Sequence, residues 1–103
     1  MPNLNSQQLL VIIAPSDLKD DLVDQLMSLD FISGFNLITI DGYSRAHSQF
    51  DIAEQVKGYR KLYRFEVLHQ PQQKQSILNA LAKSTARESV RYWIVPVLEQ
   101  GHF

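Results

Sequence analysis

Leu9, Leu10, Val11, Ile12 and Ile13 form an unbroken apolar run, closed by Ala14 and Pro15. Successive residues of a strand point to opposite faces, so such a run makes both faces apolar. Tyr92, Trp93, Ile94, Val95, Pro96, Val97 and Leu98 repeat the pattern near the other end of the chain. Phe35, Leu37, Ile38 and Ile40 again supply apolar groups to both faces of a strand. A sheet made from these segments needs cover on two sides, which excludes a half-solvated antiparallel sheet with clean apolar/polar alternation.

The rest of the chain sets how much cover is available. Ser16 is a plausible N-cap, and Leu18, Leu22, Leu26 and Leu29 fall on one face of a helix predicted over 17–29. Ser33-Gly34 marks a turn before a second strand, over 35–46. A third strand over 58–69 alternates Tyr59, Lys61, Tyr63, Phe65 and Val67 with Arg60, Leu62, Arg64, Glu66 and Leu68. Pro71 suits the first turn of a second helix, whose inner face carries Ile77, Leu78 and Leu81. A last strand is expected over 90–98. The order strand, helix, strand, strand, helix, strand in 103 residues fits a single α+β domain spanning 1–103, a ferredoxin-like sandwich with both helices on one face of an antiparallel sheet. Two helices cover one face only. The second face therefore predicts a symmetric homo-oligomer.

Charge and cysteine content narrow the function classes. The chain has no cysteine, which removes thiol chemistry, disulfides and Cys-ligated metals. Its net charge of −1 conceals a division: residues 1–56 sum to −6 and residues 57–103 to +5. Such polarity suits contacts between subunits of opposite local charge, and the near-neutral total argues against a polybasic nucleic-acid module. Asp17, Asp20, Asp21 and Asp24 share a helix face, either as a solvated surface favoured by the helix dipole or as a dock for a basic partner. No apolar run approaches the roughly 18–20 residues of a membrane span, and no basic region precedes the first run, so a cytoplasmic protein is expected.

Catalytic signatures are missing from the sequence: there is no nucleophile elbow, no phosphate-cradling loop and no metalloprotease His pair, so no enzymatic activity is expected. His47, His69 and His102 are the candidate metal ligands, although their spacing forms no local motif. Lys57-Gly58-Tyr59, followed by Tyr63 and Phe65, resembles the aromatic strand of an RNA-recognition domain, but Arg60 and Lys61 replace the residue types expected there. RNA binding is thus a further alternative rather than the expected role. The connection 47–57 is long for a hairpin, as functional loops often are.

Several segments together resemble the PII-like superfamily. Gly42-Tyr43-Ser44-Arg45 is similar to the Gly-x-Gly-Arg stretch that ends its second strand, and Arg64-Phe65-Glu66-Val67 to its Lys-Ile-Glu-Ile strand. Arg91-Tyr92-Trp93-Ile94-Val95-Pro96-Val97 is similar to its Lys-Ile-Phe-Val-Ser-Pro-Val strand. Ala53-Glu54-Gln55-Val56-Lys57-Gly58 and the segment 91–101 resemble more narrowly a branch found beside heavy-metal efflux systems in proteobacteria. The resemblance implies a homotrimeric signal-transduction protein with its sheets facing inward, and a loop at 47–57 that contacts a protein partner, such as a component of a metal-efflux transporter. It also implies an effector or divalent metal bound between subunits, near Arg45, Glu66 and Arg91. An Arg at such a place can clamp phosphate or carboxylate. Departures count against a nucleotide: 84–90 has no glycine, and Leu62 stands where a ligand-linked lysine is usual.

Overall fold

The structure, a computed structural model, describes residues 7–43, 59–85 and 90–103. The loop 47–57, with Arg45 and His47, lies outside the described residues. The elements run β1 (Gln7–Pro15), α1 (Lys19–Met27), β2 (Asn36–Gly42), β3 (Arg60–His69), α2 (Lys74–Thr85) and β4 (Arg91–Val97). All pairings are antiparallel, in the spatial order β2-β3-β1-β4. This is the α+β ferredoxin-like sandwich predicted from the element order. Among the described residues, no helix is long and apolar enough to cross a membrane.

The even residues of β1 and the odd residues of β3 face the helices. Leu10 pairs with Val67, Ile12 with Phe65 and Ala14 with Tyr63, placing these side chains in one layer. Against them pack Leu22 and Leu26 of α1 and Ile77 and Leu81 of α2, all buried. Burying such side chains supplies the main drive for folding, at about 25 cal/mol per Å² of apolar surface. Gln25 Nε2 donates to Ala80 O at 2.9 Å and ties the helices together. Phe35 leans on Phe65 with ring centroids 6.1 Å apart, closing the layer toward β2.

Local chemistry shortens the first helix. The chain turns out of β1 through a 3-10 turn, Ser16–Leu18, and the α-helix begins at Lys19 without a side-chain cap. Ser16 is therefore not an N-cap. Pro15 is extended, with φ −67° and ψ 160°, and is the last residue of the strand, as the closure of the apolar run predicted. The acids Asp17, Asp20, Asp21 and Asp24 remain on the outer side, away from the core. The turn residues after α1 are Ser28, Asp30 and Phe31, upstream of Ser33-Gly34.

The second helix has the sharper start. Pro71–Gln73 forms a 3-10 turn closed by the backbone bond from Gln73 N to Gln70 O at 2.9 Å, within a capping box in which Gln73 N also meets the Gln70 side chain and Gln70 N donates to Gln73 Oε1 at 2.9 Å. Reciprocal bonds satisfy donors that a helix start leaves open. Replacing Gln73 by alanine removes the side-chain half. It is expected to cost about 1 kcal/mol, read as a lower urea midpoint at unchanged slope; a midpoint equal to wild type would show the box to be idle.

The face of the sheet away from the helices carries Leu9, Val11 and Ile13 of β1, Ile38 and Ile40 of β2, Leu62 and Leu68 of β3, and Trp93, Val95 and Val97 of β4. Val11 and Ile13 are buried by their neighbours, whereas Ile38, Trp93 and Val95 are 42%, 40% and 38% exposed. Both faces are thus apolar, as the unbroken runs predicted. The aromatic side of β3 is the helix side: Phe65 is fully buried, and Lys19 Nζ lies 5.4 Å from the Tyr63 ring centroid. These rings are not offered on the open face for stacking with bases, which removes the structural feature behind the RNA-recognition likeness.

Candidate functional site

On the open face, β3 sets Arg64 and Glu66 side by side, because residues two apart on a strand share a face. Arg64 Nη2 lies 3.1 Å from Glu66 Oε2, and the two side chains are 38% and 19% exposed. Ile13 and Ile38 are the strand neighbours of Arg64, and Val11 and Asn36 those of Glu66. An ion pair thus stands in the middle of a largely apolar field. Arg64 Nε is buried with no hydrogen-bond partner among the described residues.

Glu66 also borders a shallow depression of about 360 Å³, lined by Leu9, Ser33, Gly34, Phe35, Asn36 and Leu68. The chemistry there is simple. A carboxylate can accept hydrogen bonds from hydroxyl or amine groups, and the Asn36 side chain can both donate and accept. A second cleft, also about 360 Å³, lies on the helix side between α2 and β4, with mainly aliphatic walls from Ile12, Leu22, Leu78 and Leu81. It contains none of the candidate residues.

Arg91 opens β4 on the same open face as Glu66. Its guanidinium carbon lies 5.9 Å from the Trp93 ring centroid, a cation–π contact that orients the side chain. Ile13 separates Arg91 from Arg64 across the sheet. Strand spacing puts the Arg91 and Glu66 backbones roughly 12 Å apart. The two candidates share a face but are not paired within one chain. The third, Arg45, lies outside the described residues.

The candidate metal ligands are dispersed in their roles. His69 continues the odd register of β3 and is only 2% exposed on the helix side. Its Nδ1 is 2.8 Å from Gln70 O, the bond a protonated Nδ1 makes to a carbonyl, while Nε2 is buried without a hydrogen-bond partner among the described residues. His102 is exposed after β4, and His47 lies outside the described residues. Among the described residues, no group of three or more His, Asp or Glu side chains could hold a metal ion.

The partnership of Arg64 with Glu66 is the feature of this face that site-by-site reading of the sequence missed. Its signal was present: opposite charges two residues apart on an alternating strand.

A family model described as "Protein of unknown function (DUF3240)" matches residues 5–103. The chain belongs to the DUF3240 family. A crystal structure of a DUF3240 family protein from Shewanella baltica is 40% identical, with a TM-score of 0.80 over 97% of this chain and 99% of that one. A protein described as a putative PII-like signaling protein, from Thermus thermophilus, aligns with a TM-score of 0.62 at 19% identity, over 89% of this chain and 86% of that one. Arabidopsis thaliana PII bound to citrate aligns with a TM-score of 0.66 at 13% identity, over 89% of this chain and 78% of that one. At these identities the two PII-type structures show a shared fold. No curated protein matches the chain. This DUF3240 member thus has the PII-like architecture that its strand motifs imply.

Proposed function

We propose that this DUF3240 protein is a non-enzymatic PII-like regulator that works as a homotrimer. The carrying observation is the open sheet face, where Ile38, Trp93 and Val95 stand exposed around Glu66 and Arg91. An apolar field of this kind marks an interaction surface. Packing it between copies leaves a cleft at each boundary, where Glu66 of one chain can meet Arg91 of another with Arg45 nearby. A small effector held there is read out by the loop 47–57, which contacts a protein partner. The superfamily likeness supports the trimer, the cleft and the loop, and the narrower likeness supports a component of a metal-efflux transporter as that partner. The same likeness admits a divalent metal as effector and supports a cytoplasmic location.

Light scattering tests the assembly, and a thermal-shift screen of nucleotides, small carboxylates and divalent metals tests the cleft. A trimer at micromolar concentration is the expected state. A ligand at a hundred times its Kd should stabilise by about 2.7 kcal/mol. That gain should disappear in both Glu66→Ala and Arg91→Ala. A stable monomer sinks the trimer, and a ligand whose effect survives both substitutions sinks the site.

A further inference from the structure

We infer that Arg64 and Glu66 form the charged contact that fixes how one copy of this chain docks on the next, with Arg64 of one copy reaching Glu66 of its neighbour. The inference rests on the oligomeric reading above and deepens it, because neither the motif likeness nor the family match assigns Arg64 a role.

Three observations lead there. First, the pair stands on a central strand of the open face, where three of its four strand neighbours, Ile13, Ile38 and Val11, are apolar and the fourth is Asn36. A charge in such a place is costly once the face is covered, unless its hydrogen-bonding capacity is filled. Second, that capacity is not filled among the described residues. The bond from Nη2 to Oε2 is single, and the buried Nε of Arg64 has no hydrogen-bond partner among the described residues. A guanidinium has five donors in a fixed fork, and a carboxylate about four acceptor positions, so both groups retain bonding capacity. Third, the patch carries both signs close together. A single-sign partner would satisfy one group and repel the other. Copies of this chain present both signs, so in a ring Arg64 of each copy can meet Glu66 of the next, and its Glu66 the Arg64 of the copy before.

The pair would then act less as a source of affinity than as a register device. Apolar strands such as these can slide or rotate against one another at little cost. A desolvated charge that must find its counterpart penalises every wrong docking.

The test is complementation between chains. R64E makes the patch doubly acidic, and E66R makes it doubly basic. Each alone should raise the subunit dissociation constant roughly thirtyfold or more, from the usual cost of disrupting a desolvated pair. Circular dichroism should show both variants folded. Mixing them should restore complexes containing both chains, seen by native mass spectrometry, although a ring of three keeps one like-charged boundary. The neutral variants R64Q and E66Q check the result if a reversed charge prevents folding; each should weaken assembly in the same direction. Wild-type protein that is itself monomeric overturns the oligomeric reading and the inference with it. An oligomeric wild type whose variants associate as tightly overturns the inference alone. So does an assembly restored by the double variant R64E/E66R in one chain but not by mixing, since the contact would then be internal.

Discussion

Phe65→Ala should destabilise this protein by about 3–5 kcal/mol, near the upper end for a single core truncation. Phe65 is fully buried on a central strand, opposite Ile12 on one side and Leu37 on the other. Its ring also supports Phe35 at 6.1 Å. The hole left behind is bounded by a sheet whose register fixes the neighbours, so little collapse is available to refill it. Domains of this size have total stabilities of only about 5–15 kcal/mol. The variant should thus melt at least about 12 °C lower, by the usual dependence for domains of 60–100 residues. Urea unfolding followed by circular dichroism measures it. Because association adds stability by mass action, wild type and variant must be compared at one protein concentration. A loss below about 1 kcal/mol would falsify the assignment of Phe65 to the centre of the core.

Val95→Asp should behave in the opposite way. Val95 lies on the open face of the edge strand β4 and is 38% exposed within one chain. A carboxylate there can stay hydrated in a monomer, so the fold should persist with nearly unchanged circular dichroism. Covered by another copy, the same group is desolvated without a counter-charge. The expected result is an association constant lower by about a hundredfold to a thousandfold. Light scattering would show the proposed wild-type trimer replaced by a monomer at micromolar concentration. If Val95→Asp remains trimeric, this part of the open face is not the interface.

The contrast between these substitutions reflects what could be read from residue order. The period of two in Tyr63, Phe65 and Val67 assigns each β3 side chain to a face, and the structure follows it. Apolar content on both faces was equally legible, because five consecutive apolar residues leave no alternative. The helix start was less so. Ser16 has a capping residue's chemistry, but a 3-10 turn takes the chain from Pro15 to Lys19, and no side-chain cap forms. Turn propensity likewise pointed to Ser33-Gly34, while the turns come at Ser28, Asp30 and Phe31, directly after the helix. Tertiary closure of α1 onto the sheet decides that geometry.

His69 shows the same limit for the site. Considered alone, an imidazole is a candidate ligand. Placed in the register of Tyr63, Phe65 and Val67, it belongs to the helix side, where it is buried. The alternation that placed Phe65 in the core also placed His69. Residue type proposed a role, and position in the strand determined where the side chain could act. The Glu66–Arg91 relation came from the superfamily likeness and not from residue order. It depends on β4 lying across β1 from β3, a pairing between distant parts of the chain.

That strand order has a consequence for biosynthesis. Of these four strands β1 is produced before the others, and the order β2-β3-β1-β4 makes it the partner of the third and the fourth. β1 opens with the unbroken apolar run and cannot fill both of its hydrogen-bonding edges until β4 has emerged. Contacts between such distant segments form late, because the intervening chain must be closed first. Throughout most of its synthesis, the stickiest strand of the molecule therefore waits with an unpaired edge. Such a nascent chain is a natural client for chaperones that shield extended apolar segments.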